Sequence, residues 1–200
     1  MPYSFFFERG HPDRPVLLLL HGTGGDEMQL VALARAACPG ATLLALRGSV
    51  DENGKLRFFK RHADGVLDEA DLCRKAAETA AFVRRLIEKE DLSTPVALGY
   101  SNGANLAAAQ LWLGSPPFRA AVLMRPVAPF STRAAPRLDG FPVTVIAGGS
   151  DTAIDAAQTR RLVAELSHAG ASIRHAVLDT GHDFGPADID IVRDFLASTR

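Results

Sequence analysis

An α/β architecture, a mostly parallel central sheet with helices on both faces, is what this sequence predicts, on three observations. Short runs at Val16–Leu20 and at residues 41–46, 96–98, 119–124, 141–147 and 172–178 are largely apolar rather than alternating. Strands buried on both faces read this way. Between them, residues 26–37, 67–89, 104–113, 153–169 and 187–198 are rich in alanine, leucine and charge at helical spacing, so strands and helices alternate along the chain. Several strand ends also run straight into glycine-rich turns, the place where an open parallel sheet gathers its functional groups.

In chain order, the aromatic segment 3–8 reads as an edge strand and His11-Pro12-Asp13-Arg14-Pro15 as a turn. Val16–Leu20 is a buried strand that runs into the loop His21-Gly22-Thr23-Gly24-Gly25-Asp26-Glu27. Pro39-Gly40 stops the helix that follows, and the strand 41–46 leads into a loop over 47–65. After the long helix 67–89, Ser93-Thr94-Pro95 introduces the strand beginning at Val96. Gly114-Ser115-Pro116-Pro117 ends the helix 104–113, and residues 126–140 form an irregular, proline-dotted connection. The remaining strands and helices alternate to the end. No repeat, linker or low-complexity stretch marks a boundary, so residues 1–200 are expected to be one domain.

Bulk composition narrows the function classes. With 47% apolar residues in 200, the chain can fill a core. A formal net charge of −1 gives no field that would favour nucleic acid or an anionic membrane. Cys38 and Cys73 have neither the number nor the spacing of a disulfide framework or zinc site. The N-terminal residues lack a basic region followed by a long apolar one. The aliphatic run Val16–Leu20 is far shorter than the roughly 20 residues that span a bilayer. The expectation is a cytoplasmic protein with reduced thiols, no nucleic-acid partner, no membrane insertion and possible homodimer formation.

Chemistry gathers on Gly99-Tyr100-Ser101-Asn102-Gly103. An apolar strand before it and a good helix former after it supply the context in which G-x-S-x-G is a nucleophile elbow. A serine hydroxyl is a weak nucleophile at neutral pH and needs a base, itself oriented by a third group. Asp151 follows the strand 141–147 in Gly148-Gly149-Ser150-Asp151, and His182 follows the strand 172–178 in Gly181-His182. Asp151 could also serve only to cap the next helix, and His182 could be an ordinary loop histidine. Three suitable residues at three strand ends, in the order Ser, Asp, His, favour the catalytic reading. Asp155, too far into the expected helix, and Asp183, adjacent to the presumed base, are weaker candidates for the acid. His11, His62, His168 and His175 fall away on position.

Acyl transfer also needs two amide donors for the developing oxyanion. The residue after the nucleophile, Asn102, and Thr23 in the glycine-rich loop are the expected pair. That loop is not a phosphate loop. No Gly-Lys-Ser/Thr follows, and Glu27 stands where G-x-G-x-x-G requires glycine. His21 is expected to brace the loop rather than act as a base or metal ligand. No metal or cofactor is implied.

These motifs, with Arg47-Gly48, Asn53-Gly54, Arg57-Phe58-Phe59-Lys60-Arg61 and Asp68-Glu69-Ala70-Asp71-Leu72, resemble the phospholipase/carboxylesterase branch of the α/β-hydrolases. Within it the likeness is to the small bacterial MhqD-type (hydroquinone-resistance) carboxylesterases, from about Val16 to Gly185. The resemblance implies an α/β-hydrolase fold and a serine esterase for small carboxylic esters, with Ser101, Asp151 and His182 as its triad. One departure is Arg125, in Met124-Arg125-Pro126-Val127-Ala128-Pro129, where that group often carries histidine or another residue. That departure leaves acyl or alcohol specificity open, not the triad.

The connection 126–140 is too short for a cap domain, so a shallow site for short-chain or aromatic esters is expected. Phe58 and Phe59 are expected either to wall the substrate pocket or to pack in the core, with Phe130 and Phe184 as further wall candidates. Arg57, Lys60 and Arg61 are expected at a solvated rim. Activity should rise with pH as His182 loses its proton. A thioesterase or acyltransferase with the same triad remains open, and a non-catalytic binding module is a weaker alternative.

Overall fold

In the computed structural model, which describes residues 3–63 and 66–199, the expected sheet forms with seven strands. They are β1 (Phe5–Glu8), β2 (Val16–Leu20), β3 (Thr42–Leu46), the elbow strand β8 (Val96–Tyr100), β9 (Ala120–Met124), β10 (Pro142–Gly148) and β11 (Ser172–Leu178). Their spatial order is β1-β3-β2-β8-β9-β10-β11, all parallel except β1, which pairs antiparallel with β3 from Phe5↔Leu46 to Glu8↔Leu43. From β2 the chain steps outward to β3, whereas from β8 it steps the other way through β9 to β11. The order therefore reverses between β2 and β8, and the loops leaving those two strands flank the crevice where such sheets bind ligands.

Residues alternate between the two faces of each strand. Leu18, Leu20, Leu44 and Leu46 join one core cluster, while Leu17, Leu19, Leu43 and Ala45 join the other. Helices α1 (Val31–Ala37) and α5 (Pro186–Ser198) cover the second cluster. Helices α2 (Glu69–Lys89), α3 (Asn102–Trp112) and α4 (Ala156–His168) cover the first. Every residue of β2, β3, β8 and β9 is buried, which explains their unbroken apolar reading. The connection 125–141 carries no helix, so no large cap covers the sheet's carboxyl end.

Three segments differ from expectation. The first helix begins at Val31, not near Asp26, because Asp26 Oδ1 accepts the Met28 N–H at 2.9 Å and Gln29 Oε1 accepts the Gly22 N–H at 2.8 Å. Such local bonds offer the backbone an alternative to the helix. The loop expected at 47–65, whose last two residues lie outside the described ones, contains two small ribbons. Strands β4 (Val50–Glu52) and β5 (Lys55–Arg57) form a hairpin, and β6 (Arg61–Ala63) pairs with β7 (Val66–Leu67). Asn53 and Gly54 turn the hairpin with φ of 55° and 81°, the two left-handed residues of a type I′ turn. Finally, α4 starts at Ala156 with Asp155 as its N-cap, its side chain accepting from the Ala157 N–H, so Asp155 lies outside the helix rather than within it.

Candidate active site

Ser101 stands between β8 and α3 with φ 49° and ψ −109°, a left-handed-side conformation rare for a side chain with a Cβ. Such strain costs about 1–3 kcal/mol and persists only when the surroundings over-determine it. Here the Ser101 N–H donates to Met124 O at 2.8 Å, and its carbonyl accepts the first helical bond from Asn105 N–H at 3.0 Å. Packing tightens the turn further. A Cβ on Gly99 would lie 2.7 Å from Ala104 Cα, and one on Gly103 would lie 2.1 Å from Leu20 O. The two glycines of the motif are required by these close approaches of helix to strand.

The loops after β10 and β11 bring the other two residues to this serine. His182 Nε2 lies 3.1 Å from Ser101 Oγ, and His182 Nδ1 lies 2.8 Å from Asp151 Oδ2. A carboxylate only accepts, so Nδ1 carries the ring proton and Nε2 of the neutral imidazole is free to accept from the hydroxyl. Asp151 is nearly buried, with 4% of its side chain exposed, whereas His182 keeps 28%. The other carboxylate oxygen, Asp151 Oδ1, accepts from the Ala153 and Ile154 N–H groups at 2.8 and 3.0 Å. The capping and acid alternatives for Asp151 are thus not exclusive: one oxygen holds its own turn while the other faces the histidine. Asp183 takes no part in this relay through its side chain.

The glycine-rich loop after β2 is braced from three directions. His21, 1% exposed, accepts the Gly48 N–H on Nε2 at 2.8 Å and donates from Nδ1 to Gly22 O at 2.7 Å. It is a bracing residue, as expected. Burial is the main cause that pushes its pKa below the usual histidine value. Its unfolded value is about 6.5, so the unfolded chain binds the extra proton first. Stability from this group is therefore present above about pH 6.5 and lost as pH falls through the lower folded value. Urea midpoints at pH 7.5 and 5.5 should drop more for wild type than for His21→Gln.

Arg57 holds the same loop from the hairpin, donating from Nη1 to Thr23 Oγ1 at 2.7 Å and from Nε to Phe59 O at 3.1 Å. It is buried, which corrects its expected place at a solvated rim. Lys60 is exposed, and Arg61 is half-buried, paired with Glu52 at 2.6 Å. Arg47 grips Glu27 with two guanidinium nitrogens and holds its carboxyl below the usual range. With its side chain engaged by Arg57, the Thr23 N–H has no acceptor among the described residues. Asn102 stands at the first position of α3, where a backbone N–H has no intrahelical partner. Its side-chain Oδ1 accepts the Phe58 N–H at 2.8 Å, fixing the segment after the hairpin against the elbow.

That anchoring decides the place of the two phenylalanines. Phe58 and Phe59 are both 0% exposed and belong to the core, so neither forms an open pocket wall. The Phe58 ring packs on His21, with centroids 4.6 Å apart. Phe130 is also buried and borders a separate groove with Glu69 and Cys73. Of the aromatic candidates, Phe184 stays with the site, packed edge-on against Tyr100 at 5.0 Å. Arg125, whose role the sequence left open, is fully buried and paired with Asp188 at 2.7 Å. No group of three or more potential metal ligands occurs among the described residues. No described helix is long and apolar enough to cross a membrane.

Comparison with known proteins bears on the fold and the family. No family model matches the chain. The protein MhqD of Bacillus subtilis (strain 168), a hydrolase by assignment, is 38% identical over 191 residues, covering 94% of this chain and 95% of its own length. Among solved structures, a carboxylesterase from Bacillus cereus superposes with a TM-score of 0.94 at 34% identity, covering 98% of this chain and 94% of that one. A Mesorhizobium loti carboxylesterase gives a TM-score of 0.93 at 33% identity, covering 98% and 95%. With 38% identity across 94% of the chain and bacterial carboxylesterases superposing at TM-scores of 0.94 and 0.93, the chain belongs to the MhqD-like carboxylesterase family of the α/β-hydrolase fold.

Proposed function

We propose that this protein hydrolyses small carboxylic esters through an acyl-enzyme on Ser101. One observation carries the reading: the unbroken relay from Asp151 Oδ2 to His182 at 2.8 Å and from His182 to Ser101 Oγ at 3.1 Å. Ser101 Oγ attacks the ester carbonyl while His182 Nε2 takes the hydroxyl proton. Asp151 holds the imidazole in the productive tautomer and stabilises its charged form. The Thr23 and Asn102 amides receive the oxyanion, each such donor being worth about 2.7–4 kcal/mol in the transition state. His182 then protonates the leaving alcohol, and water repeats the sequence on the acyl-enzyme. The uncapped sheet end favours short-chain or aromatic esters over long lipids. One domain, a cytoplasmic setting and a possible homodimer belong to the same proposal.

Intact mass after exposure to a fluorophosphonate tests it. A single adduct on wild type that is absent from Ser101→Ala is expected. No adduct on folded wild type would move the protein to the non-catalytic class. Paired oxygen-ester and thioester substrates of the same acyl group then separate esterase from thioesterase activity.

A further inference from the structure

Residues 180–185, which carry His182, have no secondary structure of their own to hold them. Three consecutive carbonyls of this loop are nevertheless taken by side chains from beneath the site. Gly181 O accepts from Arg125 Nε at 3.2 Å, His182 O from the Tyr100 hydroxyl at 3.2 Å, and Asp183 O from Arg125 Nη2 at 2.8 Å. Arg125 Nη2 also donates to Thr180 Oγ1 at 3.2 Å. The guanidinium is in turn fixed by Asp188, with Nη1–Oδ1 at 2.7 Å and Nη2–Oδ2 at 3.1 Å, both side chains wholly buried. The same Asp188 Oδ2 accepts the Gly185 N–H at 2.9 Å, so the pair grips both ends of the loop.

We propose that Arg125, braced by Asp188, and Tyr100 are positioning residues that set the His182 imidazole by fixing the carbonyls on either side of it and its own. The proposal rests on the Ser101–His182–Asp151 reading. Arg125 is suited to the task because its planar fork serves several acceptors in fixed directions, which a lysine cannot do. Its backbone is placed accordingly, with φ 54° at the end of β9 and its N–H donating to Ile146 O at 2.7 Å. Tyr100 keeps its hydroxyl proton at any working pH, because burial, foremost, raises its pKa to about 12. A base displaced by about 1 Å can cost on the order of 100-fold in rate without loss of binding.

The test removes the clamp without leaving a buried charge. Replacing both partners of a buried pair with apolar side chains of similar volume is often neutral for stability. The double variant Arg125→Met/Asp188→Leu should therefore fold, yet lose about 10- to 100-fold in kcat on a p-nitrophenyl ester with KM within about threefold. Tyr100→Phe, which removes one hydrogen bond, should lose about 3- to 10-fold in kcat. In both, the low-field proton resonance of His182 Nδ1, hydrogen-bonded to Asp151 in wild type, should broaden or vanish. A purely structural pair would lower thermal stability and leave kcat and this resonance as in wild type, which overturns the proposal. If the double variant does not fold, Tyr100→Phe decides by the same two readouts. Fluorophosphonate labelling of wild type separates the two failures. Labelled wild type with fully active clamp variants sinks only the clamp, whereas unlabelled wild type sinks the triad reading itself.

Discussion

His182→Ala is expected to lower kcat for ester hydrolysis by about 10⁶-fold, the loss typical when a triad base is removed. Nε2 stands 3.1 Å from Ser101 Oγ, and among the described residues no other side chain makes a hydrogen bond to that hydroxyl. Without the imidazole the serine keeps its strained backbone and its place in the crevice but has no acceptor for its proton. The variant should remain folded, because Arg125 and Tyr100 hold the loop by its backbone carbonyls and the lost ring was 28% exposed. Combining it with Ser101→Ala should cost little more than either change alone, since the two groups act as a unit. Steady-state kinetics on a p-nitrophenyl ester measures this directly. A loss of less than about 100-fold in the single variant would leave His182 with no role as general base.

Asp151→Asn should lower kcat by about 10⁴-fold with little change in thermal stability. The two carboxylate oxygens have separate duties. Oδ1 accepts from the Ala153 and Ile154 amides, and the asparagine carbonyl can continue to do so. That orientation turns the new NH₂ group towards His182 Nδ1, where Oδ2 stood at 2.8 Å. Two donors cannot face each other, so the imidazole shifts its proton to Nε2 and can no longer accept from Ser101. Asp151→Ala should lose the turn as well, and so fall in both kcat and melting temperature. Comparing the two variants by kinetics and thermal unfolding separates the duties. Equal kcat for wild type and Asp151→Asn would remove Asp151 from the mechanism.

The residues of this relay were legible in the sequence because each follows directly on an apolar strand, and a parallel sheet sends all such ends to one side. The hairpin at 50–57 is less legible, although Asn53-Gly54 is a strong short-range hairpin signal. Its strands are three residues each and mostly polar, so no alternating pattern announces them. Phe58 and Phe59 could equally have been pocket or core residues by composition. What decides is the bond from the Phe58 N–H to Asn102, forty-four positions later, which no local pattern encodes. Arg125 shows the same limit. A lone arginine between Val122-Leu123-Met124 and Pro126-Val127 signals a buried charge in need of a partner. The partner, Asp188, lies sixty-three positions away in the first turn of α5, and only the packed fold brings it there.

The closeness of α3 to the end of β2 sets which parts of this protein can drift under selection. A methyl group at Gly103 would meet the backbone oxygen of Leu20 at 2.1 Å, and one at Gly148 would meet Gly181 O at 2.2 Å. The first substitution would pry apart the two strand ends that present Thr23 and Asn102. The second would push the histidine loop off its acid. Neither gap can be widened by degrees, so variants there pass from working to broken in one step. Variation that leaves the relay in place is expected instead at the hairpin turn 53–55 and at residues 131–134 of the uncapped connection, all of which are exposed.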